Sequence, residues 1–193
     1  LCNQEEIPKR KGAMNEKPVL HHYGTAYENM AFLSKHSGKQ ASRCLIMQFL
    51  KMVGLSERAG SKVKTFSQGM KQRLGIAVAL IHNPALIILD EPVNGLDPQG
   101  IADMRNLILK LSNEMGKTIL ISSHLLSEIE MIANRMIIIH KGKKIVEGTV
   151  AELLDPAHSL IQIETLNNDA AKEKIMRSKW APCLQAHKQF HLM

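Results

Sequence analysis

Two adjacent acidic residues, Asp90 and Glu91, follow a short apolar run and are the side chains best suited to chemistry. The run, residues 85–89, is uninterrupted and comes after Asn83 and Pro84, as is typical of a parallel strand buried on both faces. Open α/β sheets bind their ligands at the carboxyl ends of such strands. Because neighbouring strand residues point to opposite sides, the two carboxylates are expected to do different jobs. In a nucleotide site, Asp90 would face a magnesium ion and Glu91 the attacking water.

A serine-led turn precedes this pair by one helix. Ser67, Gln68 and Gly69 come directly before an apolar-periodic stretch, which predicts a helix over residues 70–81. Serine is a preferred N-cap residue, and the unpaired N–H groups of a helix's first turn attract anions. The sequence therefore predicts an anion-binding helix start close in the chain to the acidic pair.

A histidine is predicted to reach the same edge of the sheet. Residues 118–122 read as a strand, and His124 follows it. Between the two strands, residues 93–97 form a turn, and Pro98 starts a helix over residues 99–113. We therefore expect His124 beside the carboxylates, with a structural histidine as the alternative reading.

In this order, the residues resemble the ATP-binding subunit of ABC transporters. Residues 66–70 correspond to the signature motif, residues 86–90 to Walker B and Glu91 to the catalytic glutamate. Residues 94–97 match the D-loop and His124 the switch histidine. The resemblance covers residues 8–154. Within the family, the sequence is similar to the subfamily that exports bacitracin, lantibiotics and related peptides, in which Ser-x-Gly-Met-Lys-Gln-Arg is usual.

Two motifs depart from the family pattern. Gln68 and Met70 replace the first glycine and the glutamine of Leu-Ser-Gly-Gly-Gln, while Ser67 and Gly69 remain. Glu16 stands where most members carry the Q-loop glutamine, and a carboxylate there could still meet magnesium.

The phosphate loop of this family, Gly-x-x-x-x-Gly-Lys-Ser/Thr, does not occur in the sequence. The nearest match ends in Gly116, Lys117 and Thr118, but it has Leu111 at the first glycine position and lies between a helix and a strand. Since the family carries this loop upstream of the Q-loop and the chain starts at Leu1, we expect a fragment without the amino-terminal part of its domain. The missing charge-assisted hydrogen bonds, about 1.5–3 kcal/mol each, would leave these residues alone with little affinity for ATP.

The resemblance implies an α/β fold: a partial RecA-like P-loop NTPase core with a mostly parallel sheet and an inserted helical subdomain, about residues 25–82. The ABC ATPase domain would span residues 1–154. Residues 155–193, where the composition changes, are expected to form a small α+β appendage with a strand at 160–164 and a helix at 169–178.

The resemblance also implies a mechanism in which two ATPase subunits stack head to tail around ATP and Mg²⁺. Asp90 and Glu16 would bind Mg²⁺, Glu91 would act on water, and His124 would steady the γ-phosphate. The signature residues Ser67, Gln68, Gly69 and Met70 would bind the second subunit's nucleotide in trans, and Asp97 would link the two sites.

The implied partners are the second ATPase subunit and a membrane permease, which would bind near Glu16 and residues 17–30. No apolar run approaches the ~18 residues that span a bilayer, so attachment to the cytoplasmic face of the cell membrane would be peripheral. ATP hydrolysis would drive export of, or resistance to, a peptide antibiotic. Two alternatives stay open: a catalytically silent chain that only binds partners, and a soluble ABC ATPase of translation or DNA repair.

The composition limits other functions. The formal net charge is +7, but 1 Trp, 2 Tyr and 4 Phe in 193 residues provide no stacking platform for bases, so a nucleic-acid partner is not expected. Cys2, Cys44 and Cys183 lack the spacing of a metal site and indicate a reducing compartment.

Overall fold

The computed structural model describes residues 11–36, 41–154, 168–178 and 181. The chain divides into two compact units, residues 1–150 and 151–193. The predicted domain limits, 1–154 and 155–193, remain predictions, and the strand expected at 160–164 lies outside the described residues.

Helices and strands of the described residues follow the predicted order closely. The strands are β1 (Lys11–Met14), β2 (Leu86–Asp90), β3 (Thr118–Ser122), β4 (Arg135–His140) and β5 (Lys143–Thr149). The helices are α1 (Ala26–His36), α2 (Arg43–Met52), α3 (Gln68–Leu80), α4 (Pro98–Asn113), α5 (Leu126–Ile132), α6 (Val150–Leu153) and α7 (Asn168–Met176).

Three strands form a parallel sheet in the order β1-β2-β3. Met14 pairs with Leu89, and Asp90 pairs with Ser122. Parallel neighbours require crossover connections, which α1, α2 and α3 provide between β1 and β2, and α4 between β2 and β3. All three strands therefore end at one edge. β4 and β5 form a separate antiparallel pair.

Helix α3 lies at the centre of the first unit and packs against β1, α1, α2 and α4. The sequence predicted one apolar face, formed by Leu74, Ile76, Ala77, Leu80 and Ile81, and all five are buried. However, α3 also buries residues that the pattern did not assign to that face: Gln72, Gly75 and Ala79. The reason is tertiary, since neighbours cover the helix on several sides.

Two glycines let α3 approach β1 closely. A Cβ on Gly12 would lie 2.3 Å from the carbonyl oxygen of Ala79, and a Cβ on Gly75 would lie 2.9 Å from Sδ of Met14. Both distances are too short for carbon, so only a hydrogen fits at these positions. The packing of the signature helix on the sheet therefore depends on the lack of a side chain at both sites.

Side-chain caps set the helix starts. Ser67 caps α3 by accepting a hydrogen bond from the backbone N–H of Met70, and Asp97 caps α4 in the same way. At the start of α1, Thr25 and Glu28 form a reciprocal capping box. The hydrogen bond from the backbone N–H of Thr25, followed by that from its hydroxyl, holds the pKa of Glu28 below its ordinary value.

Strand β2 is less buried than its unbroken apolar run predicted. Ile87 and Leu89 are buried in the core, whereas Leu86 and Ile88 are half-buried and Ala85 is exposed. One face of the strand therefore packs in the core, while the other is only partly covered by the residues that the structure describes. The prediction that the strand is buried on both faces was wrong for the half-buried face that carries Leu86 and Ile88.

Over residues 11–36, 41–154 and 168–178, no helix combines the length and the apolar character needed to cross a membrane.

We predict that Gly12→Ala lowers the free energy of unfolding by about 1–3 kcal/mol, because the new methyl group overlaps the carbonyl of Ala79. The matched control is Gly60→Ala, where an added Cβ meets nothing within 4 Å. Its stability should stay the same or rise by about 0.4–1 kcal/mol. Urea unfolding followed by circular dichroism measures both, and equal losses in the two variants would contradict the packing argument.

Candidate functional site

The shared edge of the parallel sheet brings one group of predicted site residues together. Asp90 is the last residue of β2, and Glu91 follows it directly. Glu16 lies two residues after the end of β1, and His124 lies two residues after the end of β3. The alignment of Met14 with Leu89 and of Asp90 with Ser122 directs these segments to the same edge.

The sequence suggested that Glu91 continues the strand. Instead, Glu91 starts a turn and has a positive φ of 46°. Its backbone N–H donates to the carbonyl oxygen of Ser122 at 3.2 Å and to the hydroxyl of the same serine at 3.1 Å. A left-handed conformation costs a residue with a side chain about 1–3 kcal/mol and persists only where surrounding contacts hold it. The expectation that strand alternation separates the two carboxylates was therefore wrong in its premise, because Glu91 lies in a turn and not in the strand.

The hydroxyl of Ser122 also binds Asp90. It donates to Oδ1 of Asp90 at 2.6 Å while it accepts from Glu91, so one side chain orients both members of the acidic pair. Ser122 was not among the predicted site residues. Its position at the end of β3, opposite Asp90 in a parallel register, was the available signal.

His124 contacts Glu91 directly. Nδ1 of His124 lies 2.9 Å from Oε2 of Glu91. Since a carboxylate only accepts hydrogen bonds, the proton of this bond belongs to the imidazole. The histidine side chain is 60% exposed and that of Glu91 21%, so the ring is open to a ligand while the glutamate is anchored.

The helix after His124 is tied to the helix before β3. Nη2 of Arg105 in α4 lies 2.9 Å from Oε2 of Glu128 in α5, and both side chains are largely buried. This ion pair limits the movement of α5 and so of the segment that carries His124.

Glu16 is held by the turn after the acidic pair. Nδ2 of Asn94 donates to Oε1 of Glu16 at 2.9 Å, and the backbone N–H of Asn94 donates to the carbonyl oxygen of Glu91 at 3.1 Å. Asn94 belonged to the predicted D-loop, but its contact with Glu16 was not predicted.

The donor chemistry of this edge fits magnesium. Mg²⁺ in nucleotide sites binds one or two carboxylates together with water and phosphate oxygens, rather than a complete protein cage. Asp90 and Glu16 supply two such carboxylates, each oriented by a neutral donor. The described residues contain no group of three His, Cys, Asp or Glu side chains that could hold a metal ion without such further ligands. No glycine-rich phosphate loop occurs in the sequence.

A second group of predicted residues lines a separate cleft of about 360 Å³. Ser67, Gln68 and Gly69 form one side of it, and Asp97 with Gly95 forms another. The starts of α3 and α4 therefore open into the same cleft. Backbone N–H groups at helix starts favour anions, and the cleft combines two of them.

Two residues of this cleft differ from expectation. Met70 is absent from its lining, and its half-buried side chain packs against the core instead. Arg73, which was not among the predicted site residues, does line it, together with the carboxylates of Asp97 and Asp103. In the described part of the chain, no hydrogen bond or ion pair joins Ser67, Gln68, Gly69 or Asp97 to the Asp90, Glu91 and His124 group.

We predict that Glu91→Gly is more stable than Glu91→Ala by about 1 kcal/mol, because only glycine adopts a φ of 46° without steric cost. The control is the same pair of substitutions at Asp90, a strand residue, where alanine should be the more stable by about 0.5–1 kcal/mol. Urea unfolding of the four variants measures this. The same order at both positions would contradict a strained backbone at Glu91.

Comparison with known proteins identifies close relatives. The family model described as ABC transporter matches residues 2–94. The bacitracin transport ATP-binding protein BcrA of Enterococcus faecalis is 44% identical over 78% of this chain and 49% of its own length. BcrA of Bacillus licheniformis is 48% identical over 75% of this chain and 47% of its own length. The lantibiotic transport ATP-binding protein SrtF of Streptococcus pyogenes is 46% identical over 72% of this chain and 59% of its own length. The chain thus spans about half the length of the curated relatives it matches.

Solved structures give the same fold. cbiO1 from Clostridium perfringens, part of the ABC transporter complex cbiONQ, superimposes with a TM-score of 0.71 at 22% identity, over 91% of this chain and 66% of its own. A dimeric ATP-binding cassette in a post-hydrolysis state, bound to ADP and Pi, superimposes with a TM-score of 0.66 at 27% identity, over 77% of this chain and 68% of its own. The predicted α/β fold class is thereby confirmed.

The signature-like run, the acidic pair at the end of β2 and these relatives agree. The chain belongs to the family of ABC transporter ATP-binding proteins, in the subfamily that includes the bacitracin and lantibiotic transport ATP-binding proteins.

Proposed function

We propose that this chain belongs to the ATP-binding and ATP-hydrolysing subunit of an ABC transporter that exports, or confers resistance to, a peptide antibiotic. The observation that carries the proposal is the contact between Nδ1 of His124 and Oε2 of Glu91, beside Asp90 at the end of a buried strand. A general base needs a second group that fixes its orientation, and this contact provides one.

Within this proposal, Glu91 accepts the proton of the water that attacks the γ-phosphate. His124 orients the Glu91 carboxylate and presents its exposed ring to the γ-phosphate. Ser122 accepts from the backbone N–H of Glu91 and so fixes the start of the turn that carries this carboxylate. The residues therefore act by positioning and by proton transfer, the two contributions that a protein makes to phosphoryl transfer.

Asp90 and Glu16 would hold magnesium. The chemistry supplied by a bound magnesium ion is the stabilisation of charge on the phosphate oxygens. Their own donors, Ser122 and Asn94, fix the carboxylate orientations without adding positive charge.

A second ATPase subunit, stacked head to tail, would complete each nucleotide site. Ser67, Gln68, Gly69 and Met70 would act in trans on the second subunit's nucleotide, with Asp97 linking the two sites. The cleft supports this arrangement, because the start of α3 and the side chain of Arg73 favour a phosphate group, although the carboxylates of Asp97 and Asp103 line the same cleft. Met70 lies in the first turn of α3, and its backbone N–H donates to the hydroxyl of Ser67.

A membrane permease would bind the segment that follows Glu16. Val19 and Tyr23 are 83% and 80% exposed there, and Phe32 on α1 is half-exposed. Exposed apolar and aromatic side chains of this kind are characteristic of interaction surfaces. Peripheral attachment to the cytoplasmic face of the membrane would follow from this contact. The peptide-antibiotic cargo rests on the relatives, whose names refer to bacitracin and lantibiotic transport.

A catalytically silent chain that only binds partners is the second candidate. The observation that favours it is the lack of Gly-x-x-x-x-Gly-Lys-Ser/Thr in the sequence. A measurement of ATPase activity with and without a phosphate loop separates the two candidates.

We predict that the 193-residue chain alone shows no magnesium-dependent ATPase activity. A chimera that adds the amino-terminal, phosphate-loop part of BcrA from Bacillus licheniformis should hydrolyse ATP. In that chimera, Glu91→Gln should lower kcat by about 10²–10⁴-fold, because it removes the general base. Glu114→Gln, at an exposed glutamate after α4, is the control and should retain activity.

The same chimera tests the cargo. Together with the membrane subunits of the Bacillus licheniformis transporter in a bacitracin-sensitive host, it should restore growth in bacitracin, and the Glu91→Gln variant should not. Full activity of Glu91→Gln would contradict the assigned chemistry, whereas ATPase activity without resistance would contradict the cargo alone.

We also predict that Ser67→Arg abolishes ATP-dependent dimer formation by the chimera, because the new side chain fills the cleft that would receive the second subunit's phosphate. Size-exclusion chromatography with light scattering measures the dimer, in the Glu91→Gln background that slows hydrolysis. The matched control is Ser42→Arg, since Ser42 is also an exposed serine that caps a helix. Loss of the dimer in both variants, or in neither, would contradict the role of Ser67.

A further inference from the structure

Gln72, in the middle of α3, is a completely buried polar residue with an unusual environment. Its Nε2 donates to the backbone carbonyl oxygen of Glu16 at 2.8 Å. Its Oε1 is also buried, and no described residue donates a hydrogen bond to it. An amide buried with half of its hydrogen-bonding capacity unused costs free energy that an apolar side chain of the same volume would avoid. Stability alone therefore does not explain a glutamine here.

The packing next to Gln72 leaves little room for movement. Gly75, one turn further along α3, faces the segment after β1, where an added Cβ would lie 2.8 Å from Cγ of Pro18. Residues three apart on a helix lie on the same face. The hydrogen bond of Gln72 and the close approach at Gly75 thus hold the same segment, residues 16–18, against the helix.

Glu16 continues this connection to the acidic pair. Its backbone binds Gln72 and its side chain binds Asn94, at 2.8 Å and 2.9 Å. The backbone of Asn94 in turn binds the carbonyl oxygen of Glu91 at 3.1 Å. A continuous series of hydrogen bonds therefore runs from the middle of α3 to the turn that begins at Glu91.

We propose that Gln72, Glu16 and Asn94 form a bridge that fixes the position of the signature helix relative to the acidic pair. Ser67, which caps α3, lies on the same rigid helix as Gln72. The bridge thus makes Ser67, proposed to face the second subunit's nucleotide, move together with Asp90 and Glu91, proposed to act on this subunit's own nucleotide. Gln72 and Asn94 are positioning residues in this bridge. The inference deepens the proposed function and rests on it.

Hydrogen exchange of the 193-residue chain tests the bridge without ATP. The informative amides are those of Met70 and Lys71 at the start of α3, which bind Ser67, and those of residues 94 and 96 in the turn. If the bridge couples the two ends, a substitution at one end changes exchange at the other. A purely local structural role changes exchange only near the substitution.

Asn94→Asp places two carboxylates in contact, so exchange should rise about tenfold at residues 94 and 96 and also at Met70 and Lys71. Glu16→Gln should leave exchange unchanged, because its amide oxygen still accepts from Asn94. The double variant Glu16→Gln/Asn94→Asp should restore the wild-type rates, because the amide introduced at position 16 donates to the carboxylate introduced at position 94. Asn106→Asp, on an exposed part of α4, is the matched control.

Gln72→Met approaches the bridge from the other end. It should raise exchange at residues 94 and 96 by about tenfold and leave the urea midpoint of unfolding unchanged, because methionine fills the same volume and removes the unpartnered oxygen. Gln48→Met, at an exposed glutamine of α2, is its control. The bridge is refuted if exchange changes only at the substituted end, or if the double variant at positions 16 and 94 exchanges as fast as Asn94→Asp. These results do not depend on ATP hydrolysis, so the bridge and the proposed function can fail separately.

Discussion

The parallel alignment of β1, β2 and β3 is the constraint on which the candidate site depends. Because all three strands run in one direction, the segments that carry Glu16, Glu91 and His124 leave the sheet at the same edge. The register adds a finer condition, since it places Ser122 opposite Asp90 and allows one hydroxyl to bind both acidic residues. A shift of one residue would turn Ser122 to the other face of the sheet and leave Glu91 without its anchor.

Local signals in the sequence were sufficient for the order of the elements. The apolar run before Asp90, the serine before α3 and the proline at the start of α4 each predicted an element within two residues of its observed limits. These signals work because an N-cap, a proline and a buried strand are dictated by neighbouring residues. The meeting of His124 and Glu91 was also foreseeable, because chain order alone assigns both to the carboxyl ends of parallel strands.

Contacts between residues distant in the chain were not foreseeable in this way. The bonds of Glu16 to Gln72 and to Asn94 join residues 56 and 78 positions apart, and no local pattern encodes them. The positive φ of Glu91 was missed for a related reason, because a glutamate carries no local signal for a left-handed turn and the conformation is imposed by Ser122. The burial of Gln72 likewise depends on β1, which precedes α3 by more than fifty residues.

The donors that hold the acidic residues explain how this edge keeps its charge. Two other glutamates of the described residues bind cations: Glu128 pairs with Arg105, and Glu147 with Lys144 and Arg135. Asp90 and Glu16 accept hydrogen bonds from a hydroxyl and an amide, as Glu28 does from a backbone N–H, and no lysine or arginine of the described residues forms an ion pair with them. A lysine or arginine would orient the carboxylates equally well, but it would compensate the charge that attracts a metal ion. Neutral donors orient a carboxylate without compensating its negative charge. Ser122 and Asn94 therefore orient Asp90 and Glu16 while leaving the charge of both carboxylates uncompensated, which is the condition that the proposed magnesium site needs.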